Sequence, residues 1–274
     1  MMGKSVLKKI RKCFFGEKIK PVLIPVEEGK YLDGHIAFIV GGSGGIGHAI
    51  AERFIANGCK VIISGTNREK LIKTVAELDN DTKFVLMDLC DINSIRKGCK
   101  EAIDKAGKID ILVNSAGVHG PSDFWTITEK DWDSVMDTNV KGMFFTSQIF
   151  ASYMRTEKIK GHILNISSAS ALKHGKTPYE ISKNSVRAMT LGIAEECIKY
   201  GIVVNCLGPG PTATNMLHMN SESELNWNGN PSGRVARPEE IANWAVYLAS
   251  SLGDYVVGDS LYVSGGSGTI CIDK

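Results

Sequence analysis

Tyr179 and Lys183 are the two side chains whose types and spacing first indicate chemistry. They stand four residues apart behind Pro178, which is typical of a helix's first turn, so both lie on one face of a predicted helix. An ammonium beside a phenol favours the phenolate. We therefore expect Lys183 to lower the pKa of Tyr179 from its usual value of about 10. Such a tyrosine can exchange a proton with an alcohol or carbonyl oxygen. The alternative is an ordinary surface tyrosine and lysine.

Ser168 is the candidate for a third reacting group. It follows an apolar run at 163–166 that predicts a buried strand, and its neighbour Ser167 is the other candidate serine. A hydroxyl at the end of this strand, across from Tyr179, would hydrogen-bond the oxygen that exchanges the proton.

A glycine-rich turn, G-G-S-G-G-I-G at 41–47, separates a predicted strand at 36–40 from a predicted helix at 46–56. Such a unit suits a dinucleotide, because glycine lets the backbone approach the pyrophosphate and the helix N-terminus favours its charge. A tight structural turn is the alternative. The next predicted strand, at 60–64, follows at the distance expected in a βαβ unit.

Two glycine spacings are present in this turn at once. G-x-x-x-G-x-G runs through Gly41, Gly45 and Gly47, whereas G-x-G-x-x-G runs through Gly42, Gly44 and Gly47. Spacing alone does not choose between them.

The second strand leads into S-G-T-N-R at 64–68, where an NAD enzyme usually carries an acid that holds the ribose hydroxyls. With no acid to repel a 2′-phosphate, and with Thr66 and Arg68 near, we expect NADP(H) rather than NAD(H). The alternative for Arg68 is a solvated position in the next helix.

Short apolar runs alternate with amphipathic helical stretches from 35 onward. This alternation predicts an α/β fold, a single doubly wound Rossmann-type domain whose parallel sheet has about seven strands and helices on both faces. Ligands then bind at the C-terminal ends of the strands. We place this domain at 34–274, behind a basic N-terminal extension and linker at 1–33.

Three further features bear on the site. Asp88 and the small residues of N-S-A-G at 114–117 follow predicted strands, and Asn139 lies among apolar residues of a long helical region at about 129–157. A buried Asn needs partners, so Asn139 either holds a local break in the helix or binds water. The polar stretch at 216–233 predicts a substrate lid, or a loop without order in the absence of ligand.

Composition bounds the protein's class. A chain of 274 residues, 43% of them hydrophobic, can bury one substantial core, and a net charge of +2 gives no reason to expect a nucleic-acid partner. The seven cysteines lack the spacing of metal ligands, so we expect no metal. No apolar run is long enough to span a membrane, and we expect a cytoplasmic protein with reduced thiols.

The segment 1–20 carries seven basic residues and one acid, Glu17. On a helical wheel its apolar residues gather opposite the basic ones, so it could contact a membrane surface or an acidic partner weakly. The alternative is a solvated or self-docked extension.

The order and spacing of these motifs resemble the short-chain dehydrogenases/reductases from about 32 to 266, with a general layout similar to 3-oxoacyl-(acyl-carrier-protein) reductases. The resemblance implies a catalytic tetrad of Asn139, Ser168, Tyr179 and Lys183. In it Tyr179 donates the proton, Ser168 holds the substrate oxygen, Lys183 binds the nicotinamide ribose and lowers the pKa of Tyr179, and Asn139 holds a water.

The resemblance also favours the first glycine spacing and implies a set of cofactor-binding residues. Besides Tyr179 and Lys183, these are Gly41, Ser43, Gly45, Ile46, Gly47, Thr66, Arg68, Asp88, Leu89, Asn114, Ala116, Gly117, Pro209, Gly210, Thr212 and Thr214.

Some positions depart from the family pattern. Val40 stands where a Thr usually precedes the first glycine, Ser115 replaces an Asn, and Ser264 stands where an Asp is common. Fewer residues separate Ser168 from Tyr179 than is usual. None of these changes removes a catalytic group.

The function implied is NADP(H)-dependent reduction of a ketone to a secondary alcohol, or the reverse, on a small-molecule or carrier-linked substrate. The stretch V-H-G-P-S-D-F-W at 118–125 differs from that usual in 3-oxoacyl reductases, so sugar, steroid and small-ketone substrates stay open. The alternative is a catalytically idle scaffold or regulator that keeps the fold. Family members usually form tetramers or dimers through the helices that carry Asn139 and Tyr179, and we expect the same here.

Overall fold

Strand β1 (Ile36–Val40) shows why the sheet of this protein is covered on both faces. Side chains alternate along a strand, and here Ala37 and Ile39 belong to one buried cluster while Phe38 and Val40 belong to a second. A strand apolar on both faces is typical of a parallel sheet with helices on either side. The computed structural model describes residues 29–79, 81–217, 219 and 224–271 of the chain. The basic helix predicted within 1–20 lies outside the described residues.

Seven parallel strands form the sheet, in the order β3-β2-β1-β4-β5-β6-β7. They are β1 (Ile36–Val40), β2 (Lys60–Gly65), β3 (Lys83–Leu86), β4 (Ile111–Asn114), β5 (His162–Ile166), β6 (Val203–Pro209) and β7 (Ser260–Val263). The strand order reverses direction between β1 and β4. Ligands bind at such a switch point, outside the C-terminal ends of the strands.

Seven α-helices of eight or more residues connect these strands in the described part of the chain. They are α1 (Gly45–Ala56), α2 (Arg68–Leu78), α3 (Ile92–Ala106), α4 (Glu129–Met136), α5 (Met143–Thr156), α6 (Pro178–Cys197) and α7 (Pro238–Leu248). Helices α1 and α7 pack together on one face, and α3, α5 and α6 cover the other. The predicted doubly wound architecture is confirmed.

The predicted helix at about 129–157 is interrupted. A π-helical segment, Asp137–Gly142, separates α4 from α5 and places Asn139 at the break. Strand β4 also begins later than the predicted 109, because the side chain of Asp110 accepts a hydrogen bond from the backbone N–H of Ile36 (2.9 Å) at the strand's entrance.

Within the residues that the structure describes, no helix is both long and apolar enough to cross a membrane.

Candidate active site

Helix α6 carries Tyr179 and Lys183 and begins at a defined point. Thr177 caps it, with its hydroxyl accepting from the N–H of Glu180 while the Glu180 carboxylate accepts from the N–H of Thr177, and Pro178 follows as the first helical residue. The Lys183 ammonium consequently lies 5.7 Å from the centre of the Tyr179 ring.

Ser168, rather than Ser167, reaches the tyrosine. It follows β5, its oxygen accepts a hydrogen bond from the backbone N–H of Ser170 (3.1 Å), and its hydroxyl lies close enough to that of Tyr179 to lower the pKa of the phenol. The Ser167 hydroxyl is buried and instead donates to the backbone carbonyl of Lys183 (2.9 Å). Of the two candidate serines, only Ser168 contacts the Tyr179 hydroxyl in this way.

The pKa of Tyr179 differs from our expectation. Burial raises it above the usual value, and the hydrogen bond from Ser168 offsets part of that rise. The expected lowering by Lys183 is absent in this structure, because the ammonium is itself buried and donates to the backbone carbonyl of Ile166 (3.0 Å). Burial lowers the pKa of Lys183 to about 8. Tyr179 is therefore neutral near pH 7, ready to donate a proton rather than accept one.

Asn139 joins the helical break to the loop after β4. Its side-chain oxygen accepts from the N–H of Val118 (2.8 Å), and its amide donates to the carbonyl of Val118 (2.9 Å) and to the hydroxyl of Ser182 (3.0 Å). Both amide hydrogens are thus used, and the side chain is fully buried. Of the two roles predicted for Asn139, the structure shows the local break; water binding stays a prediction.

The glycine turn leaves no room for side chains at two decisive positions. Gly41 has a φ of +78°, and a Cβ there would lie 2.7 Å from the backbone of Ala116. A Cβ on Gly47 would lie 2.3 Å from the carbonyl oxygen of Gly41. Gly44, in contrast, meets nothing closer than the Lys70 ammonium at 3.3 Å. Gly42 of the second spacing is also crowded, since a Cβ there would lie 2.5 Å from Ile63 Cγ2. The positive φ of Gly45 (+47°), together with that of Gly41, agrees with the first spacing, G-x-x-x-G-x-G.

A cavity of about 530 Å³ opens above this turn at the ends of β1, β2 and β4. Most of the predicted cofactor residues line it: Gly41, Ser43, Gly45, Ile46, Thr66, Asp88, Leu89, Ala116, Gly117 and Thr214. Gly47 lies beneath the turn. Asp88 is fixed in position because its carboxylate accepts from the N–H of Cys90 (2.9 Å).

The residues of this cavity fit a dinucleotide. The first turn of α1 contains no acid and its N-cap, Gly44, brings no side chain, so backbone N–H groups are open to a phosphate. The buried hydroxyl of Ser64, also in the lining, has no hydrogen-bond partner within the described residues. An unpartnered buried hydroxyl is costly, and a polar ligand would satisfy it.

Besides Gly47, two predicted cofactor residues, Arg68 and Asn114, line neither this cavity nor the adjoining smaller one. Arg68 lies over the ring of Phe84, with its guanidinium carbon 5.9 Å from the ring centre. Asn114 is buried and donates to the Ser147 hydroxyl (2.9 Å) and to the Asn165 side chain (2.9 Å), so it joins β4 to β5 and α5. A cofactor contact of Arg68 or Asn114 stays a prediction, and the side-chain oxygen of Asn114 has no hydrogen-bond partner among the described residues.

A second cavity, of about 260 Å³, holds the reacting groups and adjoins the first. Ser168, Tyr179 and Lys183 line it, together with Pro209, Gly210 and Thr212, and Ile46, Ser115, Gly117, Thr214 and Met216 line both cavities. A bound dinucleotide could therefore extend from the glycine turn to Tyr179.

The polar stretch predicted as a lid contributes Met216, Leu217 and Trp227 to this second cavity. Residues 218 and 220–223 of the stretch lie outside the described residues.

Sequence reasoning missed three side chains. Lys70 lines the larger cavity beside Gly44 and Thr66, His119 stacks on the Tyr179 ring with centres 4.3 Å apart, and Lys173 lines the smaller cavity. The unusual V-H-G-P stretch was a signal for His119. No local pattern pointed to either lysine.

A family model of the short chain dehydrogenases matches residues 35–225. The chain belongs to this family. It is an NAD(P)-binding oxidoreductase of the kind that acts on CH–OH groups and the matching ketones, as its named relatives do.

Two curated relatives of this short-chain dehydrogenase cover nearly their whole lengths. A (2S)-[(R)-hydroxy(phenyl)methyl]succinyl-CoA dehydrogenase subunit of Thauera aromatica is 35% identical, over 86% of this chain and 97% of its own. A 3-oxoacyl-[acyl-carrier-protein] reductase of Chlamydia pneumoniae is 34% identical over the same shares. The predicted resemblance to such reductases is confirmed.

A solved structure shows the same fold. It is a 3-ketoacyl-(acyl-carrier-protein) reductase from Brucella melitensis complexed with NADH, 26% identical, with a TM-score of 0.79 over 87% of this chain and all of that one.

Proposed function

We propose that this short-chain dehydrogenase reduces a ketone to a secondary alcohol with NADPH, and that Tyr179 is the proton donor. One observation carries the proposal: Ser168 and Tyr179 line the smaller cavity together, and that cavity shares Gly117 and Thr214, among other lining residues, with the glycine-lined one. The bound nicotinamide cofactor supplies the hydride. The protein's side chains position the carbonyl oxygen of the substrate and supply the proton.

Ser168 positions the carbonyl oxygen through its hydroxyl, and Tyr179 donates the proton that converts this oxygen to a hydroxyl. The raised pKa of Tyr179 keeps the phenol protonated before the reaction. Lys183, whose ammonium lies 5.7 Å from the centre of the phenol ring, is placed beside Tyr179 to bind the nicotinamide ribose. Lys183 is mostly charged near pH 7, because burial lowers its pKa only to about 8.

Cofactor choice is the finer part of the proposal. Lys70 lines the larger cavity beside Thr66 and Asn67, and no Asp or Glu follows β2 before Glu69. A lysine at this wall favours the 2′-phosphate of NADPH. Arg68, for which the sequence predicted this role, stacks on Phe84 instead. A relative from Brucella melitensis holds NADH, so the preference must be measured directly.

Turnover and cofactor binding test the two parts separately. Purified protein is assayed with NADPH and with NADH against acyl thioester, sugar and small ketones. Tyr179→Phe should lower kcat by about 100-fold or more and leave NADPH affinity, measured by fluorescence, within about twofold. A variant that keeps full turnover would remove Tyr179 from the mechanism.

Lys70→Gln should raise the Kd for NADPH by about tenfold while the Kd for NADH changes by less than about twofold. Arg68→Gln is the matched control, since it removes a neighbouring charge that does not line the cavity. Equal losses for both cofactors, or a larger effect of Arg68→Gln, would contradict this assignment.

We also propose a homo-oligomer, formed through the outer faces of α5 and α6. A concavity of about 430 Å³ lies between these helices, lined by Phe144, Met189 and Tyr200 among others. Phe144 and Tyr200 are exposed, which is costly for large apolar side chains in a monomer. Light scattering should give a dimer or tetramer, and Phe144→Arg should reduce the mass. Trp125→Arg, at a more exposed aromatic position elsewhere, is the control.

A further inference from the structure

The smaller cavity has a one-sided set of charges. Its titratable nitrogen groups belong to His119, Lys173 and Lys183, and none of the described residues that line it is an Asp or Glu. A cavity with cations and no anions raises the local concentration of negatively charged ligands.

Lys183 does not account for the recognition of such a ligand. Its ammonium is buried, donates to the backbone carbonyl of Ile166 and serves Tyr179. A substrate anion that bound the Lys183 ammonium would displace its hydrogen bond to Ile166 and its contact with Tyr179.

Lys173, unlike Lys183, is exposed and has no part in the reaction proposed above. It follows the short 3-10 helix Ala169–Leu172, which begins directly after Ser168, and its backbone N–H donates to the carbonyl of Ser170 (3.1 Å). The lysine is therefore held on the same wall as the catalytic serine. Its ammonium forms no ion pair with an acid among the described residues, and the residue is exposed while it lines the cavity.

His119 stands against the opposite group, Tyr179. Its imidazole stacks on the phenol ring with centres 4.3 Å apart, and its Nδ1 lies 3.0 Å from the carbonyl oxygen of Gly120. Nδ1 therefore donates to that carbonyl, and in the imidazolium form the Nε2–H is a second donor that an anionic ligand can accept from.

We infer that the ketone substrate carries an anionic group, a carboxylate or a phosphate, which Lys173 binds with help from His119 while Ser168 and Tyr179 hold the carbonyl. This inference rests on the proposed reductase function and names its substrate class. Trp227 and Leu217 also line the cavity and give it an apolar wall.

Binding tests the inference independently of turnover. Tyr179→Phe protein saturated with NADPH is titrated by calorimetry with matched pairs that differ in charge. One set pairs oxoacids of increasing chain length with their methyl esters, and the other pairs dihydroxyacetone phosphate with dihydroxyacetone. The first set reports a carboxylate and the second a phosphate.

At least one anionic ligand should bind about tenfold more tightly than its neutral partner. Lys173→Met, made in the Tyr179→Phe background, should reduce that ratio to within about twofold of unity. Lys176→Met is the matched control, because it removes an exposed lysine of the same loop that does not line the cavity, and it should leave most of the ratio. His119→Phe, which keeps an aromatic ring against Tyr179, should lower the ratio in the same direction as Lys173→Met.

Neutral ligands that bind as tightly as their anionic partners would overturn the inference. Equal effects of Lys173→Met and Lys176→Met would also overturn it, since they would indicate the general charge of the loop rather than a contact. Turnover of neutral ketones by the wild-type protein would in that case leave the reductase function standing.

Discussion

Replacing Asn139 by Ala tests whether the hydrogen bonds from Asn139 to Val118 and Ser182 (the clamp) serve the reaction or only the fold. The substitution removes three hydrogen bonds, two to the backbone of Val118 and one to the Ser182 hydroxyl. Each such bond contributes a net ~0.5–1.5 kcal/mol. Val118 is 38% exposed, so water can replace part of what its backbone loses. We expect the free energy of unfolding to fall by about 2 kcal/mol.

The loss of activity should exceed what this loss of stability explains. Val118 precedes His119, whose ring stacks on Tyr179, and the backbone carbonyl of Tyr179 accepts a hydrogen bond from Ser182 (2.7 Å). The clamp therefore reaches the reacting tyrosine by two routes. A displacement of about 1 Å in a reacting group lowers rates by about 100-fold. We expect kcat to fall by about that factor while KM changes little.

Urea unfolding gives the change in the free energy of unfolding, and steady-state kinetics on the same preparations gives the change in kcat. Thr190→Val is the matched control. It removes a buried hydroxyl of α6 that donates to the backbone carbonyl of Val186 (2.8 Å) and accepts from Asn165 (3.0 Å), and that makes no hydrogen bond to Val118 or Tyr179. It should cost about 1–2 kcal/mol of stability and leave kcat within about twofold. If Asn139→Ala loses stability but keeps the wild-type kcat, the clamp is structural and our reasoning is refuted.

Three further predictions follow from the structure. Gly41→Ala should abolish cofactor binding and destabilise the fold, because its Cβ would lie 2.7 Å from Ala116. Gly107→Ala is the control: its φ of +75° is similar and nothing lies within 4 Å, so it should show only the strain of the backbone. Thermal unfolding with and without NADPH compares the two variants. Burial lowers the pKa of Lys183 from 10.5 to about 8, so between these two pH values the Lys183 amine is protonated in the unfolded chain but not in the folded one. The free energy of unfolding of the wild type, relative to Lys183→Met, should therefore rise with pH across this window, as measured by urea titrations. Burial acts to raise the pKa of Asp110, but the hydrogen bonds that its carboxylate accepts outweigh burial and lower the pKa. The stabilisation that results should be lost as the pH falls through the pKa of the folded protein. Asp110→Asn should lack this acid-sensitive part of the stability when both proteins are unfolded by calorimetry at a series of pH values.

Local patterns in the sequence determined much of this protein. The alternation of apolar runs and amphipathic stretches gave seven parallel strands, because side-chain direction repeats every two residues in a strand and about every 3.6 in a helix. The same local geometry placed Tyr179 and Lys183 on one face of α6, and Pro178 marked where that helix begins. The glycines of the turn were predicted from the approach that a phosphate needs, and the contacts of Gly41 and Gly47 agree.

The tertiary structure alone decided which neighbouring groups meet. Ser168 and Ser167 are adjacent in sequence, yet only Ser168 lies close enough to Tyr179 in the smaller cavity to lower the pKa of the phenol, while the Ser167 hydroxyl donates to the backbone carbonyl of Lys183. Arg68 and Lys70 are two residues apart, and the helix places one on Phe84 and the other in the cavity wall.

The direction of the pKa shift at Tyr179 was also beyond the sequence. Proximity to Lys183 predicted a lower pKa, but the structure buries both groups and burial dominates for each. Desolvation depends on every atom that packs around a side chain, most of them distant in sequence. Spacing along one helix fixes which residues are neighbours, whereas the dielectric environment that sets their chemistry comes from the whole fold.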